Sequence, residues 1–321
     1  MKLATLKDAT PDGRLHLVSR DLMRCTPAQA AKTLQQALEN WGTLESALAA
    51  EYDALNGGGG TSFDPADAMA PLPRAWQWLD GSAFDSHGEL MQKVFNMAPV
   101  DTGARPLMYQ GLSDHFIAPT ADVPFPSEED GIDFEGEFGI IVDAVPMGTS
   151  AAEARRHIRL VVQINDWSLR KLAPVEMRTG FGWIQAKPAC SMAPVAVTPD
   201  ELGARWRDSR VDLPLLVDWN NARFGAAGGY AMSAGFDDLV AHAAYSRDLV
   251  AGTVIGSGTV SNANYREVGS SCIAERRGIE MVDEGTPRTG FMRFGDTVHM
   301  EARLPDGTPL FGAINQRVVK R

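Results

Sequence analysis

The chain has 321 residues, 44% hydrophobic and 22% charged, enough to bury a core in one large domain or two modest ones without metal or disulfide staples. Lys and Arg number 30 against 41 Asp and Glu, and the net charge of −11 argues against a nucleic-acid-binding surface or an anionic-membrane binder, both of which need clustered cations. Cys25, Cys190 and Cys272 are isolated, no apolar signal core follows Met1 and no long apolar run is present, so the expectation is a reduced, cytoplasmic protein.

Residues 3–6 and 15–18 are short apolar runs separated by the turn cluster Thr10-Pro11-Asp12-Gly13, which predicts paired strands. Thr26 and Pro27 predict a helix cap and first turn, and Ala30, Leu34, Leu38 and Trp41 continue at helical spacing. A second helix is predicted over residues 43–55, stopped by Asn56 and glycines 57–60. From there to Pro73 the chain is rich in Gly, Pro, Asp and Ala and reads as a domain boundary. Beyond it, residues 132–142 and 157–164 predict strands, with a Ser150/Glu153 capping box opening a short helix between them. Residues 237–250 predict a helix closed by Gly252. Val298, Met300, Ala302 and Leu304 alternate with polar residues, Pro305-Asp306-Gly307 turns the chain, and residues 310–319 return, the pattern of a hairpin. The helices are too few and too unevenly placed for a doubly wound α/β domain, and a β-rich mixed sheet fits better.

Phosphate-cradling glycine motifs and H-E-x-x-H are absent, and Ser233 has Ala231 where a nucleophile elbow needs Gly. The informative segment is residues 131–142. On one strand, Asp133, Glu135 and Glu137 share a face while Phe134, Phe138, Ile140 and Val142 take the other. Carboxylates side by side on a strand entering the core need a compensating cation; on an edge they would be a solvated face. Asp166 ends the apolar run 160–164, as a ligand or as a turn residue, and Asp114 lies in a polar break between apolar flanks. Together Asp114, Glu135, Glu137 and Asp166 would make an all-oxygen site suited to Mg²⁺, Mn²⁺ or Ca²⁺ rather than zinc.

These residues resemble the fumarylacetoacetate hydrolase family. The resemblance rests on the Glu135-x-Glu137 strand, the segment Asn165-Asp166-Trp167-Ser168 with Arg170, Lys187, the loop Gly256-Ser257-Gly258-Thr259-Val260-Ser261, and Gly269-Ser270-Ser271, all in the family's order. It covers the chain from about residue 108 onward, and the N-terminal part is similar to the accessory domain of longer bacterial members. It implies an α+β, β-rich fold: a small α/β accessory domain over residues 1–75 and a mixed β-roll catalytic domain over residues 76–321, in a homodimer. It implies Asp114, Glu135, Glu137 and Asp166 as ligands of a divalent cation, with Arg170 and Lys187 as basic residues of the active centre. Gly258 and Thr259 would offer an N–H and a hydroxyl to a substrate carboxylate.

Family members act on β-dicarbonyl and 2-oxo acids, so the implied activity is hydrolysis of a C–C bond in an acylpyruvate, fumarylacetoacetate- or fumarylpyruvate-like, in the breakdown of aromatic compounds. In fumarylacetoacetase-like members the base is a His a few residues after the first metal-binding Asp. After Asp114 only the adjacent His115 is available, so the candidate base is His87, which other members carry on a lid segment, with Glu275 to orient it. A Tyr and a Gln used by the eukaryotic enzymes are replaced near Ala173 and Met177. The competing readings are a hydratase, isomerase or decarboxylase of 2-oxo acids, and a silent binder of metal or oxo acid.

Overall fold

The computed structural model describes residues 1–95, 103 and 105–321. Strands β1 (Lys2–Leu6) and β2 (Arg14–Val18) pair antiparallel across the expected turn, and β3 (Arg24–Pro27) adds to β2. Thr26 and Pro27 therefore end a strand rather than open a helix, because Cys25 and Thr26 find ladder partners in Val18 and Leu17. Helix α1 (Leu34–Glu39) starts later, where the Thr33 side chain accepts the Gln36 N–H. Helix α2 (Trp41–Gly57) follows, and β4 (Thr61–Ser62) returns to pair with β3. Leu38, Trp41, Leu48 and Tyr52 are buried, so the helical spacing marked a real packing face.

The middle of the chain supplies β5 (Trp78–Gly81), α3 (Asp85–Phe95), β6 (Met108–Gly111), β7 (Val123–Phe125), β8 (Ile132–Asp133), β9 (Gly136–Val142), α4 (Ala151–Ala154), β10 (Ile158–Asn165), β11 (Ser168–Leu169), α5 (Ala173–Thr179), β12 (Ser191–Met192) and β13 (Ala196–Val197). The remainder forms β14 (Trp206–Arg207), β15 (Arg210–Val211), β16 (Pro214–Trp219), β17 (Ala222–Gly228), α6 (Phe236–Ala243), β18 (Thr253–Gly256), α7 (Tyr265–Val268), α8 (Ile273–Glu284), β19 (Thr297–Glu301) and β20 (Ile314–Lys320). The large sheet runs β4-β3-β2-β1-β13-β10-β9-β18-β5-β6 with β12 beside β10, and a second sheet runs β17-β16-β19-β20-β7. Both are mixed: β18–β5 and β20–β7 are parallel pairs. The fold is α+β and β-rich, and its N-terminal strands continue the large sheet through the β1–β13 pairing.

Both faces of β9 and β10 are covered, which explains their unbroken apolar runs. Ile140, Val142 and Val161 pack into one core with Val217, Met300 and Val318 of the second sheet. Ile141, Leu160 and Val162 pack on the opposite side with Leu38, Trp41 and Leu48 of the N-terminal helices. Three expected elements differ in extent. The strand predicted over 132–142 breaks at Phe134: β8 leaves to pair with β11, and Glu135 bridges to Cys272. Helix α6 ends at Ala243, well before Gly252, because Leu249 is drawn into a bridge with Val145. The C-terminal hairpin forms, but its ladder ends at the Met300–Ile314 pair. Among the described residues, no helix is long and apolar enough to cross a membrane.

Candidate metal centre and active site

Three strand ends converge at the middle of the large sheet. Glu137 lies in β9, opposite Ile164 of β10. Asp166 follows β10 directly, and its N–H is held by the Glu135 carbonyl. Asp80 sits near the end of β5, opposite Gly256 on the parallel strand β18. One carboxylate oxygen from each of Asp80, Glu137 and Asp166 lies within 4.8 Å of the others, and all three side chains are buried. Gly256 keeps space for the cluster, since a Cβ there would strike the Trp78 ring and the Asp80 carboxylate.

Both oxygens of Glu137 are buried without a hydrogen-bond partner. Burial, then the charges of Asp80 and Asp166, push the Glu137 carboxyl well above its ordinary range. Burial and Asp166 push Asp80 up as well. Orphaned carboxylate oxygens facing two further carboxylates fit a divalent cation that prefers oxygen ligands.

Asp114 takes no part in this cluster. Its side chain is 72% exposed, and its carboxylate lies 3.0 Å from Nδ1 of the neighbouring exposed His115. Asp80, which spacing alone did not single out, stands where Asp114 was expected. Glu135 and Asp133 are also placed differently from the one-face reading. The break at Phe134 turns Asp133 toward helix α8, where it accepts the N–H groups of Ile273 and Ala274. Arg170 bridges the two, with Nε 2.7 Å from Asp133 and a terminal nitrogen 2.5 Å from Glu135. Burial raises the Glu135 carboxyl, but the charges of Arg170 and Lys187 overcome that and hold it well below its ordinary range.

Lys187 Nζ pairs with Glu135 and, at 2.6 Å, with Asp166. Burial opposes the ammonium, yet Asp166 and Glu135 hold it above the ordinary lysine range. Asp166 is ringed further: the Tyr109 hydroxyl donates to it at 2.6 Å, and the Cys190 thiol lies 2.9 Å from its other oxygen. The Tyr109 ring also lies 5.5 Å from Lys187 Nζ and meets Trp183 edge-on. Neither Tyr109 nor Cys190 carried a signal in the sequence, because their partners are distant along the chain.

His87 and Glu275 do come together. His87 opens α3, Glu275 lies in the first turn of α8, and Nδ1 stands 3.8 Å from Glu275 Oε1. The Glu275 side chain is fully buried and its Oε1 accepts the Ser261 hydroxyl, which lies 2.8 Å from the Ser86 hydroxyl. His87 follows Asp80 by seven residues in the chain. The glycine loop after β18 lies alongside: the Gly258 N–H donates to Asp80 at 3.1 Å, and Thr259 is buried. In this arrangement Gly258 braces a carboxylate of the protein rather than presenting its N–H freely.

Comparison with known proteins places the fold. The family profile described as fumarylacetoacetate (FAA) hydrolase C-terminal matches residues 77–319. The chain belongs to that family. A second profile, fumarylacetoacetase N-terminal domain 2, matches residues 1–74. No curated protein matches the chain significantly. Solved structures share the fold. A maleylpyruvate hydrolase from Sphingobium sp. SYK-6, in complex with manganese(II) and pyruvate, is 16% identical over 100% of this chain and 99% of its own, with a TM-score of 0.64. A 5-carboxymethyl-2-hydroxymuconate delta-isomerase from Mycobacterium smegmatis is 19% identical with the same coverage and a TM-score of 0.63. A 2-hydroxyhepta-2,4-diene-1,7-dioate isomerase from Mycobacterium marinum, 19% identical, also covers 100% and 99%, with a TM-score of 0.60. As a fumarylacetoacetate hydrolase family member, the chain thus shares its fold with both hydrolases and isomerases.

Proposed function

We propose that the protein is a divalent-metal-dependent hydrolase of a C–C bond in an acylpyruvate or related β-diketo acid, acting in the breakdown of aromatic compounds. The observation that carries this reading is the His87–Glu275 pair, a base and its orienting carboxylate brought together by the first turns of α3 and α8, in a fold that also gathers Asp80, Glu137 and Asp166. A pure metal or oxo-acid binder has no need of that pair.

Asp80, Glu137 and Asp166 would hold the cation, with Glu135 beside them. Mg²⁺, Mn²⁺ or Ca²⁺ all suit this set. A cation there would supply the Lewis acidity that polarises the keto-enol oxygens of the substrate. The protein's own groups do the rest. His87 Nδ1 faces Glu275, leaving Nε2 to take a proton from water. The hydroxide oxygen attacks the acyl carbonyl, and collapse of the adduct breaks the C–C bond. The electron pair leaves on the pyruvate-side carbon as an enolate, and the proton held by His87 returns to that fragment. Glu275 stabilises the imidazolium in the interval, and Lys187, held protonated, offsets charge developing at the centre. Arg170 keeps Glu135 and Asp133 in place through its two ion pairs.

The test follows the enol absorbance of a panel of acylpyruvates, including fumarylacetoacetate and fumarylpyruvate, with Mg²⁺ or Mn²⁺ and again with EDTA. Metal-dependent decay with pyruvate or acetoacetate and the free acid as products is the expected result. Loss of the enol with the carbon skeleton intact would overturn hydrolysis and assign isomerase chemistry to the site.

A further inference from the structure

Between Arg170 and Lys187 the chain makes an excursion over α5 and the turn that follows it, and one side chain closes it. Glu176, on α5, accepts three backbone N–H groups: Ile184 at 3.1 Å, Gln185 at 2.8 Å and Ala186 at 3.0 Å. Those residues lie between Trp183, which packs on Tyr109, and Lys187, which pairs with Glu135 and Asp166. Ala186 is held on both sides, because its carbonyl accepts the Leu169 N–H at 2.8 Å, next to Arg170.

The rest of the excursion has little to hold it. Phe181 is 98% exposed and Ile184 84% exposed, with Val175 and Met177 also exposed, so no apolar core fixes its position. A carboxylate receiving three backbone donors is a strong, directional anchor in such a segment. Burial acts against its charge, yet the N–H groups of Gln185, Ala186 and Ile184 prevail and keep Glu176 below the usual carboxylate range.

We propose that Glu176 is a positioning residue for the active centre: by anchoring residues 184–186 it sets where the Lys187 ammonium stands against Glu135 and Asp166. This rests on the reading of the centre given above, but its first readout needs no substrate. The Lys187 side chain is 11% exposed and enclosed by its two carboxylates, so an amine reagent leaves it unlabelled while Lys171, 57% exposed, reacts.

The experiment compares Glu176→Gln and Glu176→Ala with the parent protein. Labelling of Lys187 by trinitrobenzenesulfonate, relative to Lys171, is mapped by peptide mass spectrometry. Release of the anchor exposes the Lys187 amine and raises its labelling severalfold relative to Lys171. Glu176→Gln, which keeps one acceptor oxygen, falls between. Mn²⁺ affinity does not fall, since the carboxylates of the cluster are untouched and release of the Lys187 ammonium removes a competing cation from Asp166. Where a substrate is in hand, kcat falls with little change in KM, and Glu176→Gln restores part of the loss. Unchanged Lys187 labelling in a folded Glu176→Ala protein would overturn the proposal, as would a loss of Mn²⁺ affinity equal to the loss of activity. Absence of hydrolase activity in the parent leaves the labelling result to decide the role of Glu176 on its own.

Discussion

Replacing Glu137 by Gln separates stability from metal binding, because the two respond with opposite signs. Glu137 has two buried, unpartnered oxygens, one of which lies within 4.8 Å of an oxygen on each of Asp80 and Asp166. Two like unit charges at that distance repel by about 3.5 kcal/mol at an effective dielectric near 20. Proton uptake limits the penalty, because all three carboxyls titrate above their ordinary range. The net relief on removing one charge is therefore about 1–3 kcal/mol, and the Gln amide N–H groups gain carboxylate acceptors. In EDTA, Glu137→Gln melts higher than the parent by a few degrees, at about 2 °C per kcal/mol for a chain of this size. Adding Mn²⁺ to about 100 times its dissociation constant stabilises the parent by about 2.7 kcal/mol and leaves the variant unmoved. The curves cross. The pH dependence follows from the same groups: carboxyls whose folded pKa is raised bind protons more tightly in the folded state, so the metal-free parent loses stability as pH rises above the ordinary carboxylate range. Mn²⁺ competes with those protons and binds more tightly as pH rises. Differential scanning fluorimetry across pH 5–8, with EDTA and with Mn²⁺, measures both effects. A parent that melts at the same temperature with and without Mn²⁺, or a variant stabilised as much as the parent, refutes the assignment of this cluster as a cation site.

Asp80→Asn abolishes the Mn²⁺-induced rise in melting temperature, whereas Asp114→Asn, at an exposed position, changes stability by less than about 0.5 kcal/mol and leaves the metal response intact. His87→Ala lowers kcat by about 10²–10⁴ with Mn²⁺ affinity unchanged by calorimetry, and an unaltered kcat removes His87 as the base. Gly256→Ala, whose new methyl meets the Asp80 carboxylate, weakens Mn²⁺ binding without altering any ionisable group. Below the ordinary carboxylate range the contribution of Glu176 disappears: a depressed folded pKa stabilises above the unfolded value and is lost as pH falls through the folded one. The difference in melting temperature between the parent and Glu176→Gln shrinks to zero on acidification, and a difference that persists at acid pH argues against the anchor.

Much of this protein is written locally. The apolar run of β10, the alternation of the C-terminal strands, the Ser150 capping box and the glycine stop after α2 depend on neighbours a few residues apart, and each has its expected counterpart in the fold. The ordered motifs that carry the family resemblance likewise singled out Glu137, Asp166, Arg170 and Lys187, because side-chain chemistry and spacing are local properties. Tertiary structure decided the rest. Thr26 and Pro27 joined a strand because β2 offered ladder partners, and α6 stopped early because Val145 captured Leu249. Asp80 entered the cluster through the parallel pairing of β5 with β18, a contact between residues about 175 positions apart that no spacing rule encodes. Asp114, in a similarly polar break, was left at the surface. A carboxylate's role is set by the charges and donors around it, and those arrive from β9, β10, β18 and the Lys187 loop only when the sheet closes.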